Sequence, residues 1–295
     1  MGNFGACRSL ALDGMSQDWF VLPNVSSDQQ ITQYLLNLVY EVGNLLRQRP
    51  DSLHIATKSS DTDVVTQMDE AAENALVSGI LAQFPYDSII GEEGTAVQGS
   101  SQFQWIIDPL DGTVNYLYNL PAWCISVARV NQTTGDAELG VVHAPALERT
   151  YWADSTGAFV SHGEQIEHLR VSSCDILSQA LVGTGFGYEQ DRRAGQARVL
   201  QSVLPSVRDI RRLGSCALDL CLVAQGGLDG FFERGVNPWD HSAGGFIARQ
   251  SGAMVSGLFG KKESEEMIVV ANPTLHQQLV SILESVDANT DSTEV

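Results

Sequence analysis

The sequence predicts an α+β half joined to an α/β half, with helices sandwiching sheets. Three observations predict it. Up to about residue 145, two helical patterns are followed by mostly consecutive strands. Beyond that point strands and helices alternate. No flexible linker interrupts residues 150–165, so the halves are expected to form one rigid body. The expected divisions are an N-terminal arm (1–27), an α+β half (28–155), an α/β half (156–286) and a disordered polar tail (287–295).

In chain order, Ile31, Leu35, Leu36, Leu38, Val39, Val42, Leu45 and Leu46 recur at helical spacing, predicting a helix from Asp28 to Arg49 that ends near Pro50. "TKSSDTDVVTQMD" (57–69) reads as polar and turn-rich. Residues 68–84 read as a second helix with acids in its first turn. "DSIIGEEG" (87–94) reads as a short strand entering a loop, and "FQWIID" (103–108) as a strand. "CISVARV" (124–130) and "AELGVVHAP" (137–145) read as paired strands about a turn at Gly135, and 150–166 as a further hairpin region. "QALVGTGFGY" (179–188) is a strand entering a glycine-rich loop. Residues 197–207 are helical until Pro205. "GSCALDLCLVAQGGLDGFFE" (214–233) is a Ser-capped helix, a Gly-Gly stop and a short strand that includes Asp229. A helix starting near Asp240, a strand toward Ser256 and a last helix over 273–286 complete the reading.

Composition narrows the function. Of 295 residues 43% are hydrophobic, an ordinary share for a soluble globular chain, and no apolar run is long enough to span a bilayer. The N-terminus lacks a signal-peptide pattern, and Ala6 departs from the myristoylation motif despite the Met-Gly start. The five scattered cysteines, with no CxxC, read as reduced and mostly buried thiols in a cytoplasmic protein. A net charge of −19 argues against nucleic-acid or membrane partners. It also repels phosphate substrates unless metal ions reverse the field locally.

The chemistry centres on "WIIDPLDGTVNYLYNLP" (105–121). An apolar strand ends by presenting Asp108. Pro109 holds Asp108 extended, and the following turn exposes the Leu110 carbonyl. Gly112 permits close backbone approach, and Thr113 opens a stretch whose free N–H groups attract an anion. Two carboxylates and a backbone oxygen suit Mg²⁺. "IIGEEG" adds Glu92 and Glu93, which taken alone read more readily as a solvated turn. "NPWDHSAGG" adds Asp240, which taken alone reads more readily as a helix N-cap. Asp108 and Asp111 are spaced i and i+3, so on regular strand geometry they do not share a face, unlike the i, i+2 pair of a D-x-D-x-T phosphatase with an aspartyl nucleophile. On that spacing the covalent mechanism is rejected.

The chain resembles the inositol monophosphatase family of Mg²⁺-dependent, Li⁺-sensitive phosphatases. "KSSDTDVVTQMD" (58–69), "GEEG" (91–94), "WIIDPLDGTVNYLYNLP" and "NPWDHSAGG" (237–245) match family segments in order, from about Thr57 to Gly252. "GTGFGY" and "RRLGSCALDLCLVAQGGLDGFFERG" resemble its actinobacterial inositol-1-phosphatase members in particular. The resemblance implies a layered α-β-α-β-α sandwich of the inositol monophosphatase/fructose-1,6-bisphosphatase type. It implies that Glu92, Asp108 and the Leu110 carbonyl bind a first Mg²⁺, that Asp108, Asp111 and Asp240 bind a second, and that Glu92 holds a weaker third ion through water. Li⁺ is the implied inhibitor. Thr113, paired with Asp69 and near Glu92, would prepare the attacking water, and the Gly112 and Thr113 N–H groups would contact phosphate. Asp111 and Asp240 also border the substrate, and Glu233, Ser215 and Cys216 would contact its sugar or inositol hydroxyls. A homodimer is implied by family analogy.

Inositol-1-phosphate leads among substrates, with histidinol phosphate next, then fructose-1,6-bisphosphate or nucleotide 3′-phosphates. A regulatory protein that binds transcription machinery is the non-enzyme reading. Lys58 divides evenly between a surface residue and a role in loop closure. His241 reads as structural or as tuning the pocket, Asp219 and Asp229 as structural, and Trp105 and Trp239 as packing behind the acids.

Overall fold

The structure is a computed structural model that describes residues 27–50, 52–58 and 63–290. Helix α1 (Ser27–Arg47) leads into a hairpin of β1 (Ile55–Thr57) and β2 (Val64–Thr66), then α2 (Gln67–Gln83). Strands β3 (Ser88–Gly91), β4 (Ala96–Val97) and β5 (Phe103–Asp111) follow, with the short α3 (Thr113–Leu117) directly after β5. Next come β6 (Cys124–Asn131), β7 (Asp136–Ala144), β8 (Arg149–Asp154), β9 (Gly157–His162) and β10 (Gln165–His168). The remainder is β11 (Leu181–Thr184), α4 (Gln190–Val203), β12 (Asp209–Arg211), α5 (Cys216–Ala224), β13 (Gly230–Glu233), α6 (Pro238–Gln250), β14 (Met254–Ser256), β15 (Ile268–Ala271) and α7 (Pro273–Glu284).

Strands β10-β9-β8-β7-β6-β5-β3-β4 form one sheet and β12-β11-β13-β15-β14 another. Side-chain alternation sorts each strand between two cores. Trp105 and Ile107, Ile125 and Val127, and Val141 pack with Leu35, Val39, Leu76 and Ile80 of α1 and α2. Their neighbours Ile106, Ala128 and Val142 face the other way, onto Ala217, Leu220 and Cys221 of α5 and Ala243 and Ile247 of α6. Phe231, Ile268 and Val270 of the second sheet close that middle core. Phe232, Val269 and Ala271 point outward onto Val199 and Val203 of α4 and Leu275 and Leu279 of α7. The result is the α-β-α-β-α sandwich.

Several boundaries differ from expectation. The first sheet continues through β10, so it ends at His168 rather than 155, because β8 to β10 pair as a continuous antiparallel meander. Helix α4 begins at Gln190, seven residues before the expected start, through a polar first turn that carries no apolar period. The stretch 57–69 contains β2 and the pairing of β1 with β2, and strands β12 and β15 were not anticipated. Asp229 precedes β13 and accepts the Leu181 amide at 2.7 Å. Of the expected tail, residues 287–290 pack back as a turn, with Ala288 buried; 291–295 and all but Ser27 of the expected arm lie outside the described residues. No helix among the described residues is long and apolar enough to cross a membrane. Cys124, Cys216 and Cys221 are buried free thiols, Cys174 is half-buried, and Cys7 lies outside the described residues.

Candidate active site

Strand ends set the site. In the first sheet β3 and β5 run parallel, and both release their acids at their C-terminal ends: Glu92 after β3, Asp108 and Asp111 on β5. In the second sheet β11 pairs in parallel with β12 on one side and β13 on the other. Helix α4 packs on one face of that sheet and α5 on the opposite face, which makes the C-terminal end of β11 a topological switch point, the place where such sheets open a crevice. The 185–188 loop follows β11, Arg212 follows β12 and Glu233 ends β13. These groups line one cavity of about 360 Å³, together with Lys58, Asp63, Gly112, Thr113, Ser215, Cys216, Asp219 and Asp240.

The i, i+3 spacing of Asp108 and Asp111 does not separate them. Asp108 pairs with Ser126 and Asp111 with Cys124, two positions apart, so β5 carries one extra residue in a bulge. The bulge returns Asp111 to the face Asp108 occupies. The expectation from regular alternation is therefore corrected, and strand spacing alone does not exclude an aspartyl nucleophile. Asp108 Oδ1 accepts the Leu110 amide at 3.0 Å. Asp111 Oδ2 accepts the Ser215 hydroxyl and the Ala217 amide, each at 2.7 Å, which pins it to the start of α5. Gly112 follows at φ 96°, where a Cβ would meet the Ala122 carbonyl at 2.8 Å.

Asp69 and Asp240 occupy equivalent positions on different helices. Each is the third residue of its helix and reaches back to the cap. Asp69 Oδ2 accepts the Thr66 amide at 2.8 Å and its hydroxyl at 2.6 Å. Asp240 Oδ2 accepts the Asn237 amide at 2.6 Å, so Asn237, not Asp240, is the N-cap. Thr113 Oγ1 lies 3.0 Å from Asp69 Oδ1 and 3.1 Å from the Leu110 carbonyl. Asn115 Nδ2 ties this segment to the α5 approach by donating to the Ala122 and Leu213 carbonyls.

Burial, and then repulsion from Glu92 and Asp111, push Asp108 and Asp240 well above the usual carboxylate range, with Asp240 adding to the rise of Asp108 and Glu233 to that of Asp240. Burial pushes Asp111 to about 6 against the pull of Ser215 and Ala217. Asp69 is raised by burial too, although the Thr66 and Thr113 hydrogen bonds oppose it. So many buried oxygens of one sign call for cations. Every donor is a hard oxygen, which fits Mg²⁺. Among the described residues no three His, Cys, Asp or Glu side chains are grouped to hold an ion as they stand, although Glu92, Asp108, Asp111 and Asp240 line one cavity. Glu92 meets the Lys58 ammonium at 2.9 Å, and Glu93 meets it at 2.6 Å. Burial works against the Lys58 charge, but the two glutamates raise its pKa overall. Lys58 thus lines the cavity while staying exposed to solvent.

Glu233, which also lines the cavity, is pushed to about 8 by burial, with Arg212 opposing and Asp111 reinforcing. A Cβ at Gly185 would fall 2.0 Å from its carboxylate, so that loop must be bare. Ser215 commits its hydroxyl to Asp111 and accepts the Leu218 amide at 3.3 Å. Trp105 is fully buried in the α1/α2 core, with its Nε1 donating to Asp87 at 3.0 Å. Trp239 lines the cavity, whereas His241 does not. Arg192, Arg212 and Asp219 line it without having been anticipated. Arg212 follows a three-residue strand too short to show a period, and Asp219 reads in sequence as an ordinary first-turn helix acid.

Layers and site together define a phosphoric monoester hydrolase. The chain belongs to the inositol monophosphatase family, whose model matches residues 27–288. It is 41% identical over 238 residues to an inositol-1-monophosphatase of Mycobacterium leprae, covering 78% of this chain and 81% of that protein. It is 35% identical over 249 residues to the Nus factor SuhB of Pasteurella multocida, covering 82% and 91%. The solved structure of Mycobacterium tuberculosis SuhB superposes with a TM-score of 0.76 at 34% identity, covering 90% of this chain and all of that one.

Proposed function

We propose that the chain is a Mg²⁺-dependent phosphatase that hydrolyses inositol-1-phosphate by attack of water. The observation that carries this reading is that Glu92, Asp108, Asp111 and Asp240 line one cavity together with Glu233. The resemblance to a protein named inositol-1-monophosphatase supports the substrate. Glu92, Asp108, Asp111, Asp240 and the Leu110 carbonyl would hold the metal. When bound, divalent ions would neutralise the carboxylates, acidify water and stabilise charge on the leaving oxygen.

The protein's own groups do the rest. Thr113 Oγ1, held between Asp69 and the Leu110 carbonyl, can accept a proton from water while passing its own to Asp69. The Gly112 and Thr113 amides lie at the start of α3, where N–H groups lack intrahelical acceptors, and would contact the phosphate. Glu233 accepts a hydrogen bond from an inositol hydroxyl, which its burial and raised pKa leave compatible with a neutral partner.

The test is phosphate release from inositol-1-phosphate, histidinol phosphate and fructose-1,6-bisphosphate side by side, with Mg²⁺, with EDTA and with Li⁺. Preference for inositol-1-phosphate, loss in EDTA and inhibition by Li⁺ are expected; a strong preference for histidinol phosphate would sink the substrate assignment. A second reading, a partner role in transcription, is favoured by the relative named a Nus factor. Retention of polymerase or ribosomal factors on the immobilised chain tests it, and both roles can coexist.

A further inference from the structure

We propose that Asp219 is a specificity residue that, with Glu233, accepts hydrogen bonds from hydroxyl groups on the leaving-group side of the substrate. This rests on the polyol-phosphate reading of the site. Asp219 lies in the first turn of α5, is 1% exposed and lines the cavity. Its Oδ1 is buried without a hydrogen-bond partner. The charged groups around it are Glu233, Asp111 and Arg212.

A capping role does not explain Asp219. Ser215 already caps α5 by accepting the Leu218 amide, and Asp111 already takes the Ala217 amide. What remains is a buried acceptor that costs stability until a donor arrives. The terminal torsion of Asp is broad and roughly two-fold, so either oxygen can be turned to the cavity. A hydroxyl supplies a donor without adding charge beside Arg212. Two neighbouring acceptors, Asp219 and Glu233, lining the same cavity suit a leaving group carrying several hydroxyls. A site built this way rejects esters that lack them.

Steady-state phosphate release by Asp219→Asn and Asp219→Ala, on inositol-1-phosphate and on phenyl phosphate, tests the assignment alongside thermal unfolding. For inositol-1-phosphate, kcat/KM is expected to fall about 10- to 100-fold. For phenyl phosphate, which offers no leaving-group hydroxyl, it should change by less than about 2-fold. Tm should hold in Asp219→Asn, because Oδ1 has no hydrogen bond to lose. Equal losses on both esters, unchanged kinetics, or a lowered Tm with unchanged kinetics would overturn the role of Asp219. A wild-type enzyme that hydrolyses phenyl phosphate but not inositol-1-phosphate would instead overturn the polyol reading, and this proposal with it.

Discussion

At the residue scale, Asp111 ties β5 to the start of α5: it stands on β5 with Asp108 and is held by Ser215 and by the α5 amide of Ala217. Asp111→Asn keeps the shape and removes the charge. Turnover should fall by about 100-fold or more, the scale seen when a group stabilising transition-state charge is lost; wild-type rates would remove this segment from the site. Gly185→Ala makes a different demand. Its Cβ would strike Glu233 at 2.0 Å, so the carboxylate must leave its place and KM for inositol-1-phosphate should rise in initial-rate assays. Residues such as Asp108 and Asp111 were legible because they crowd into one short motif after an apolar strand. Asp219 and Arg212 were not, since each looks ordinary among its sequence neighbours and acquires meaning only when α5 and β12 meet the acids in space.

At the element scale, the bulge in β5 matters most. A period of two was legible in "FQWIID", but the extra residue that puts Asp108 and Asp111 on one face was not, because a bulge is a property of the pairing with β6. Attack by water must therefore be tested directly. Hydrolysis of a chiral phosphate ester should invert configuration at phosphorus; retention would mean a covalent aspartyl intermediate. The cap of α2 is a second device of this kind. Thr66 accepts the Met68 amide at 3.2 Å while donating to Asp69, so one hydroxyl both starts the helix and orients the partner of Thr113. Thr66→Ala should cost about 1 kcal/mol in urea unfolding. It should also lower kcat, whereas a surface cap would leave kcat unchanged. The long helices and most of the first sheet were readable from periodicity. Strands β1, β2 and β12, at three residues each, were too short to show one.

At the scale of the whole molecule, two sheets aim acids at one cavity in a chain whose net charge is already −19. With pKa values raised on folding, these acids bind more protons in the folded than in the unfolded state between their two pKa values. Stability of the metal-free protein should then fall as pH rises from about 4, the unfolded carboxylate value, through about 6 for Asp111 and about 8 for Glu233. Mg²⁺ should restore Tm, and more at pH 8 than at pH 5, because it competes with protons for the same oxygens. Thermal unfolding in EDTA and in Mg²⁺ across that range checks both signs. The most direct measurement is phosphate release from inositol-1-phosphate by the metal-stripped enzyme as Mg²⁺ is added back. If the converging carboxylates work by holding cations, activity is absent in EDTA and rises saturably with Mg²⁺; full activity in EDTA would contradict it.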